Sequence, residues 1–313
     1  MSAMHYVLGL VLAPLLLGII NRVKAKFAGR RGRPYLQLYY DLAKLVQKGA
    51  VYSTTTTAVF RLGPLVNLGA VMAVLLFVPL GNAPALIHFS GDFFLAAYLL
   101  AMGRFATILA ALDTGSSFEG MGASREATFS AMAEPVLLIG LVPLGMTVQS
   151  FTLSAMLMPF TPNAWQQYWP VLILLGIAFF LVLLTENSRI PVDDPNTHLE
   201  LTMIHEVMIL DHGGPDLAII EFASALKLWF FCTLVSSVLT PDITLYMGHD
   251  PAYRTILSNP GVVLLYSVAS IFCVAVLVGV TESVMARLKL IRIPQLLSLA
   301  GALTALACLF SLR

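Results

Sequence analysis

The densest concentration of chemically capable side chains lies between Glu186 and Glu221. Eight of the 17 acidic residues fall there: Glu186, Asp193, Asp194, Glu200, Glu206, Asp211, Asp216 and Glu221. Just before them, the 51 residues from Pro135 to Thr185 contain no Asp, Glu, Lys or Arg. Carboxylates in or beside a bilayer are costly, and where they occur they mark ion movement or the docking of a partner. His198, His205 and His212 are interleaved with them at a spacing of seven residues. On a helix that spacing spans about 10 Å, too far for one metal ion, which would need ligands at i and i+4. A solvated or partner-facing helix face is the favoured reading of the histidines, and a titrating stripe the alternative.

Other ionisable residues stand inside apolar runs. Arg104 is in the middle of one and Asp113 at its end; Glu134, Glu221, Lys227 and Glu282 occur in three more. Arg104 or Lys227 alone would read as a structural ion pair. Taken together, Arg104, Asp113, Glu134, Glu200, Glu206, Glu221, Lys227 and Glu282 are expected to form a polar path for ions. Buried carboxylates on it should hold protons up toward neutral pH.

The elements that position these groups follow from composition. With 58% hydrophobic and 11% charged residues, the chain lies far from soluble proteins, in which about a quarter of residues are charged. An all-α polytopic membrane protein is expected, with eight spans of roughly 20 apolar residues. They are Ala3–Ile20, Leu62–Leu80, Phe93–Leu112, Phe129–Ser150, Trp169–Leu184, Leu217–Leu239, Val262–Val284 and Ile293–Leu312, all in a single membrane domain over residues 1–313. The loops at 21–60, 113–128, 186–216 and 285–292 carry 13 of the 18 Lys and Arg, and the intervening loops only Arg254. By the positive-inside rule those loops are cytoplasmic and both termini lie outside. No cleavable signal peptide is expected, because Arg22, Lys24 and Lys26 follow the first apolar run rather than precede it.

Within the first loop, Tyr35, Leu38, Tyr39, Leu42, Leu45 and Val46 share one face of a helix opening at Pro34. Too short to span, it should lie on the membrane surface. The basic turn Arg30, Arg31, Arg33 before it could meet an acidic partner or lipid headgroups. In the acidic loop, Thr197 to Glu200 reads as a capping box that starts a helix at His198, and Gly213-Gly214-Pro215 stops it near Asp211. Cys232, Cys273 and Cys308 each fall in an apolar run with no CxxC pair, which argues against an Fe–S or zinc site in this chain. The net charge of +1 gives no sign of nucleic-acid binding.

Residues Gly29–Gly49, the block Leu112–Glu126, Ala133-Glu134-Pro135 and the 186–221 loop resemble the eight-helix ND1 family of respiratory complex I. They are more similar to its homologue in energy-converting [NiFe] hydrogenases, the formate hydrogenlyase subunit 4 or hydrogenase-4 type, and Leu112–Glu126 is the most specific block. The resemblance covers essentially the whole chain. It implies a non-catalytic membrane component of an oxidoreductase that grips hydrogenase large and small subunits and an Fe–S subunit on the cytoplasmic side. Antiporter-like membrane subunits and lipids would be its neighbours in the cell membrane. Fe–S clusters and the NiFe centre would sit in those partners, with no cofactor here. Arg30, Arg31, Arg33, Arg125, Glu126, Glu186, Arg189, Asp193, Asp194 and Asp211 are the expected docking residues. The quinone-binding ND1 component of an NADH:quinone oxidoreductase, with the 30–48 helix and the acidic loop enclosing a chamber, is the alternative reading. A free-standing ion transporter is disfavoured by the lack of an internal repeat.

Overall fold

A computed structural model describes residues 2–81, 83–158, 160, 162–194, 202–240 and 259–312. The helices are α1 (Ser2–Phe27), α2 (Gln37–Val46), α3 (Ala58–Leu75), α4 (Asp92–Asp113), α5 (Ser117–Val148), α6 (Leu153–Leu157), α7 (Pro162–Glu186), α8 (His205–Met208) and α9 (Gly214–Leu239), then α10 (Pro260–Val284) and α11 (Ile293–Ser311). Among the described residues eight helices are long and apolar enough to cross a membrane: α1, α3, α4, α5, α7, α9, α10, and α11 with its lead-in turn. Helices are the element that lipid demands, since each satisfies its own backbone hydrogen bonds. Prolines interrupt that ladder. In α7 the break is visible at Tyr168, whose φ of −109° and ψ of 15° precede Pro170 by two residues.

The middle of the bundle is α9. Its span is 72% buried, against 28% to 56% for the others, and α1, α2, α3, α6, α7 and α10 all pack on it. Leu226, Trp229, Phe231 and Val235 fill the core from this helix. Around it α3 lies along α4, α1 along α10, and α11 against both α5 and α7. Small residues allow the α3–α4 approach: a Cβ on Gly63 would stand 2.7 Å from Ala110 Cβ, the close contact that small-residue faces permit between membrane helices.

Two expectations change. Residues 113–128 read as a loop, yet α5 begins at Ser117 and runs for 32 residues. The charges that made it read as a loop point inward: Glu119 is 1% and Glu126 7% exposed. Gly122 lets α8 come close, for a Cβ there would meet Val207 at 2.3 Å. The helix expected from His198 to Asp211 is, among the described residues, only His205–Met208. Its start is set by Asp193, whose Oδ2 accepts from the backbone N–H of Ile204 at 3.0 Å and of His205 at 3.3 Å. The capping box, with Glu200, lies outside the described residues.

Candidate functional site

Where the middles of α4 and α9 meet the end of α7, Glu186 accepts two hydrogen bonds from Arg104 Nη2, at 3.0 and 2.9 Å. Lys227 Nζ is 3.0 Å from the same carboxylate. Glu126, buried on α5, lines the same cavity of about 50 Å³ with Asn67 and Thr107. Two cations thus face two carboxylates inside the bundle. Such a set is tolerable only because the charges compensate one another.

A larger cavity of about 320 Å³ adjoins it, between α1, α2, α9 and the acidic loop. Asp41, Asp193, Glu206 and Glu221 supply its acids, Arg33 and Arg189 its bases. Asn187, Ser188, Arg189, His205 and Ser224 line both cavities, so these five residues form a common wall. Burial first, then the charges of Glu221 and Asp193, push Glu206 up to about 7, with Arg189 opposing. Burial lowers His205 to about 4, helped by Lys227 and Arg189. Near neutral pH, Glu206 can therefore give or take a proton, and His205 is a neutral imidazole that can do both at once.

Two paired carboxylates fix the rim. Glu282 lies 2.7 Å from Lys24 Nζ and 3.5 Å from Arg189 Nη1, joining α10, α1 and the acidic loop. Asp193 lies 2.9 Å from Arg287 Nη2, and Arg287 also donates to Thr202 Oγ1 at 2.9 Å. Burial raises the Asp193 carboxyl, against hydrogen bonds from Ile204, His205 and Asp194 and the charge of Arg287.

Of the expected path residues, Arg104 and Lys227 meet at Glu186, Glu206 and Glu221 share the larger cavity, and Glu282 holds its edge. Glu134 is near enough to feel the charge of Arg104. Asp113 belongs elsewhere. It caps α3, accepting from Thr57 N at 2.6 Å and Thr57 Oγ1 at 2.8 Å.

The expected docking set divides. Arg30, Arg31, Arg33 and Asp211 are exposed and Asp194 is half-buried. Glu126, Glu186 and Asp193 are buried, and Arg189 is turned into the cavity wall, so these four do not present charge to a partner; the ions they neutralise are internal. Arg125 Nη1 donates to Met203 O at 2.8 Å, tying the acidic loop to α5.

Sequence reasoning passed over Glu119 and Asp92, both buried. It also left His205 on a solvated stripe and did not single out Asp41, whereas both line the larger cavity. Asp41 could have been found from its place opposite the apolar stripe of α2, as the single acid in a loop rich in Lys and Arg. Nothing in the sequence pairs Arg287 with Asp193. Among the described residues no group of three His, Cys, Asp or Glu could hold a metal ion.

Fold and site together define a class: a polytopic α-helical membrane protein with a buried charge network leading into a polar cavity. A protein-family model described as NADH dehydrogenase matches residues 1–312, and the chain belongs to that family. It is 30% identical over 302 residues to hydrogenase-4 component C of Escherichia coli (strain K12), covering 96% of this chain and 92% of that one. Identity to formate hydrogenlyase subunit 4 of the same organism is 30% over 220 residues, 69% of each chain. The fold matches a chain in the membrane-bound sulfane sulfur reductase, an archaeal respiratory membrane complex. That match has a TM-score of 0.80, 19% identity, and covers 99% of this chain and 98% of the other. The family resemblance read from the sequence therefore holds.

Proposed function

We propose that the chain is the membrane-anchoring and ion-coupling component of an energy-converting hydrogenase complex of formate hydrogenlyase type. The observation that carries this reading is that the two cavities lie side by side and share part of their lining. Glu206 and Glu221 share one, the compensated set Arg104, Lys227, Glu126 and Glu186 lines the other, and a wall five residues wide separates them. A change of charge at the docked redox module would be felt first by Glu206, whose proton is held loosely near neutral pH. A proton released there has neutral His205 as its next acceptor. Beyond it, Glu186 can respond by shifting its share of Arg104 and Lys227. A group poised this way suits H⁺ better than Na⁺.

In this role the exposed turn at Arg31 and the exposed Asp211 face the hydrogenase large, small and Fe–S subunits, which would house the NiFe centre and clusters. Antiporter-like membrane subunits would continue the path. The two hydrogenase-named relatives support this assignment. The size of the larger cavity, about 320 Å³, speaks for the quinone alternative. Its described lining holds four leucines but no Tyr, Phe or Trp, so it offers little flat apolar surface to a quinone ring.

Charge reversal of Arg31 and Asp211 together should release the soluble module, more readily at high salt. The readout is dye-linked hydrogenase activity in membrane and soluble fractions, with this chain still inserted. A module that stays on the membrane overturns the docking reading. Cysteines replacing Arg33 and Ser124, both exposed, should label only from the cytoplasm; labelling from outside would invert the topology.

A further inference from the structure

A second charged feature lies apart from the acidic cavities. An open cleft of about 570 Å³ at the end of α1 is lined by Lys24, Phe27, Arg30, Gly32, Arg33 and Ser283, among others, and no carboxylate lines it. Lys24 is held by Glu282. Arg30 and Arg33 are exposed, and among the described residues neither side chain makes a hydrogen bond or ion pair.

The cleft is built rather than incidental. Its turn folds back on α1 through Arg30 N to Ala25 O at 2.8 Å and Gly29 N to Lys26 O at 3.0 Å. The Arg22 side chain donates to Arg31 O. Gly32 has φ +69°, and a Cβ on it would stand 2.5 Å from Ala25 Cβ. Any side chain there would lift the turn away.

Its level and its rim indicate the ligand. The span of α1 ends at Phe27 and that of α10, packed beside it, at Val284. Phe27 is 58%, Val284 71% and Met285 45% exposed. Unpaired guanidinium groups thus stand beyond the ends of two membrane helices, with bare apolar side chains at the same ends. An acidic protein segment would satisfy the arginines but leave the apolar residues uncovered. A phospholipid satisfies both, because phosphate oxygens accept paired hydrogen bonds from guanidinium groups and acyl chains cover the apolar rim. We infer that this cleft is the headgroup site of an anionic phospholipid, its phosphate held by Arg30 and Arg33 and its chains lying along α1 and α10. Arg33 lines the acidic cavity as well, so an occupied cleft would draw one positive charge away from Glu206 and Glu221.

Native mass spectrometry of the purified full chain, offered phosphatidylglycerol or phosphatidylcholine of equal chain length, tests this. Phosphatidylglycerol should be retained at least about tenfold more tightly, since a basic side chain near an anionic headgroup gives about fivefold in affinity. Arg30→Ala with Arg33→Ala should cut phosphatidylglycerol binding about thirtyfold and leave phosphatidylcholine unchanged. The corresponding double change to Lys should restore most of it. Arg31→Ala, an exposed arginine outside the cleft, should have little effect, and glycerol phosphate should fail to displace the lipid at matched concentration. Equal retention of the two lipids, or an Arg31→Ala loss as large as that of the pair, overturns the site. Displacement by glycerol phosphate would make it a free-phosphate site. If the complex carrying the alanine pair keeps its lipid but loses its soluble subunits, the cleft is a protein-docking surface and the inference is wrong.

Discussion

The two ends of α9 hold polar groups of opposite kinds. Glu221 stands in its first half and Lys227 at its middle; toward its end stand Thr233, Ser236 and Ser237, with Trp229, Phe230 and Phe231 between. The hydroxyl end is satisfied mostly within α9, with one bond across to α10. Thr233 donates to Trp229 O and Ser237 to Leu234 O, each at 2.9 Å, and Ser236 lies 2.6 Å from Ser270. The charged end depends on its surroundings, because Lys227 is satisfied through Glu186 of α7 and Glu186 in turn through Arg104 of α4. Hydroxyls can return most of their protons to their own helix and need a neighbour only at single points, as Ser236 does at Ser270 of α10. Charges cannot, and they bind several helices into one. Between Lys227 and Ser236 lie nine residues of rise, about 14 Å, filled by apolar side chains. Along α9, the charged groups are therefore cut off from the hydroxyl end by a mostly apolar stretch.

Breaking the charged end should cost most. Glu186→Gln leaves Arg104 and Lys227 buried without their shared anion, a loss of about 3–5 kcal/mol. The expected result is failure to accumulate in membranes, read by immunoblot, or a sharply lowered melting temperature. Normal accumulation would mean that the interior is wetter than the geometry implies.

Next in size is the functional cost at the larger cavity. Glu206→Gln or Glu221→Gln should leave the complex assembled while coupled turnover falls about tenfold, equivalent to about 1.4 kcal/mol on a barrier. Ion translocation in vesicles is the measurement. Unchanged coupling in both variants would reduce the pair to structure.

A pH series sharpens the same contrast. The Glu206 carboxyl moves from 4.5 to about 7 on folding, so the fold binds that proton more tightly than the unfolded chain does. Stability from this group is present below pH 4.5 and is lost as pH rises through 7. His205, lowered from 6.5 to about 4, runs the other way and removes stability as pH falls from 6.5 toward 4. Glu206→Gln deletes only the first effect. The variant should thus melt above the parent at pH 8, with the advantage fading as pH falls through 7 toward 4.5. A difference that does not change with pH would place Glu206 in bulk water.

The smallest effect belongs to the hydroxyl end. Replacing Ser236 and Ser270 together by Ala removes both partners of one hydrogen bond, which should change stability by no more than about 0.5 kcal/mol. Coupled turnover should not move; a tenfold loss would show that the ion path continues there.

How much was legible in the sequence follows the same division. The eight spans could be read because lipid contact imposes long apolar runs, and the family could be read from short blocks such as Leu112–Glu126. The direction in which a charge points could not. Glu126 and Glu186 have the composition of a docking face, but their partners, Arg104 and Lys227, come from helices tens of residues away. Arg104 and Glu186 are 82 positions apart, and no local periodicity encodes such a pairing. The helix start at His205 was hidden for a similar reason. A carboxylate 12 positions upstream sets it, where a local capping box would have placed it at His198.

Asn187, Ser188 and Arg189 are consecutive, with Ser188 held at φ +48°, and each touches both cavities. A substitution among them acts at two addresses, so its effect should not add to that of a change at Glu186 or at Glu206. Epistasis between these positions is built into the partition. A survey of single variants would credit the wall twice, once for each compartment it divides.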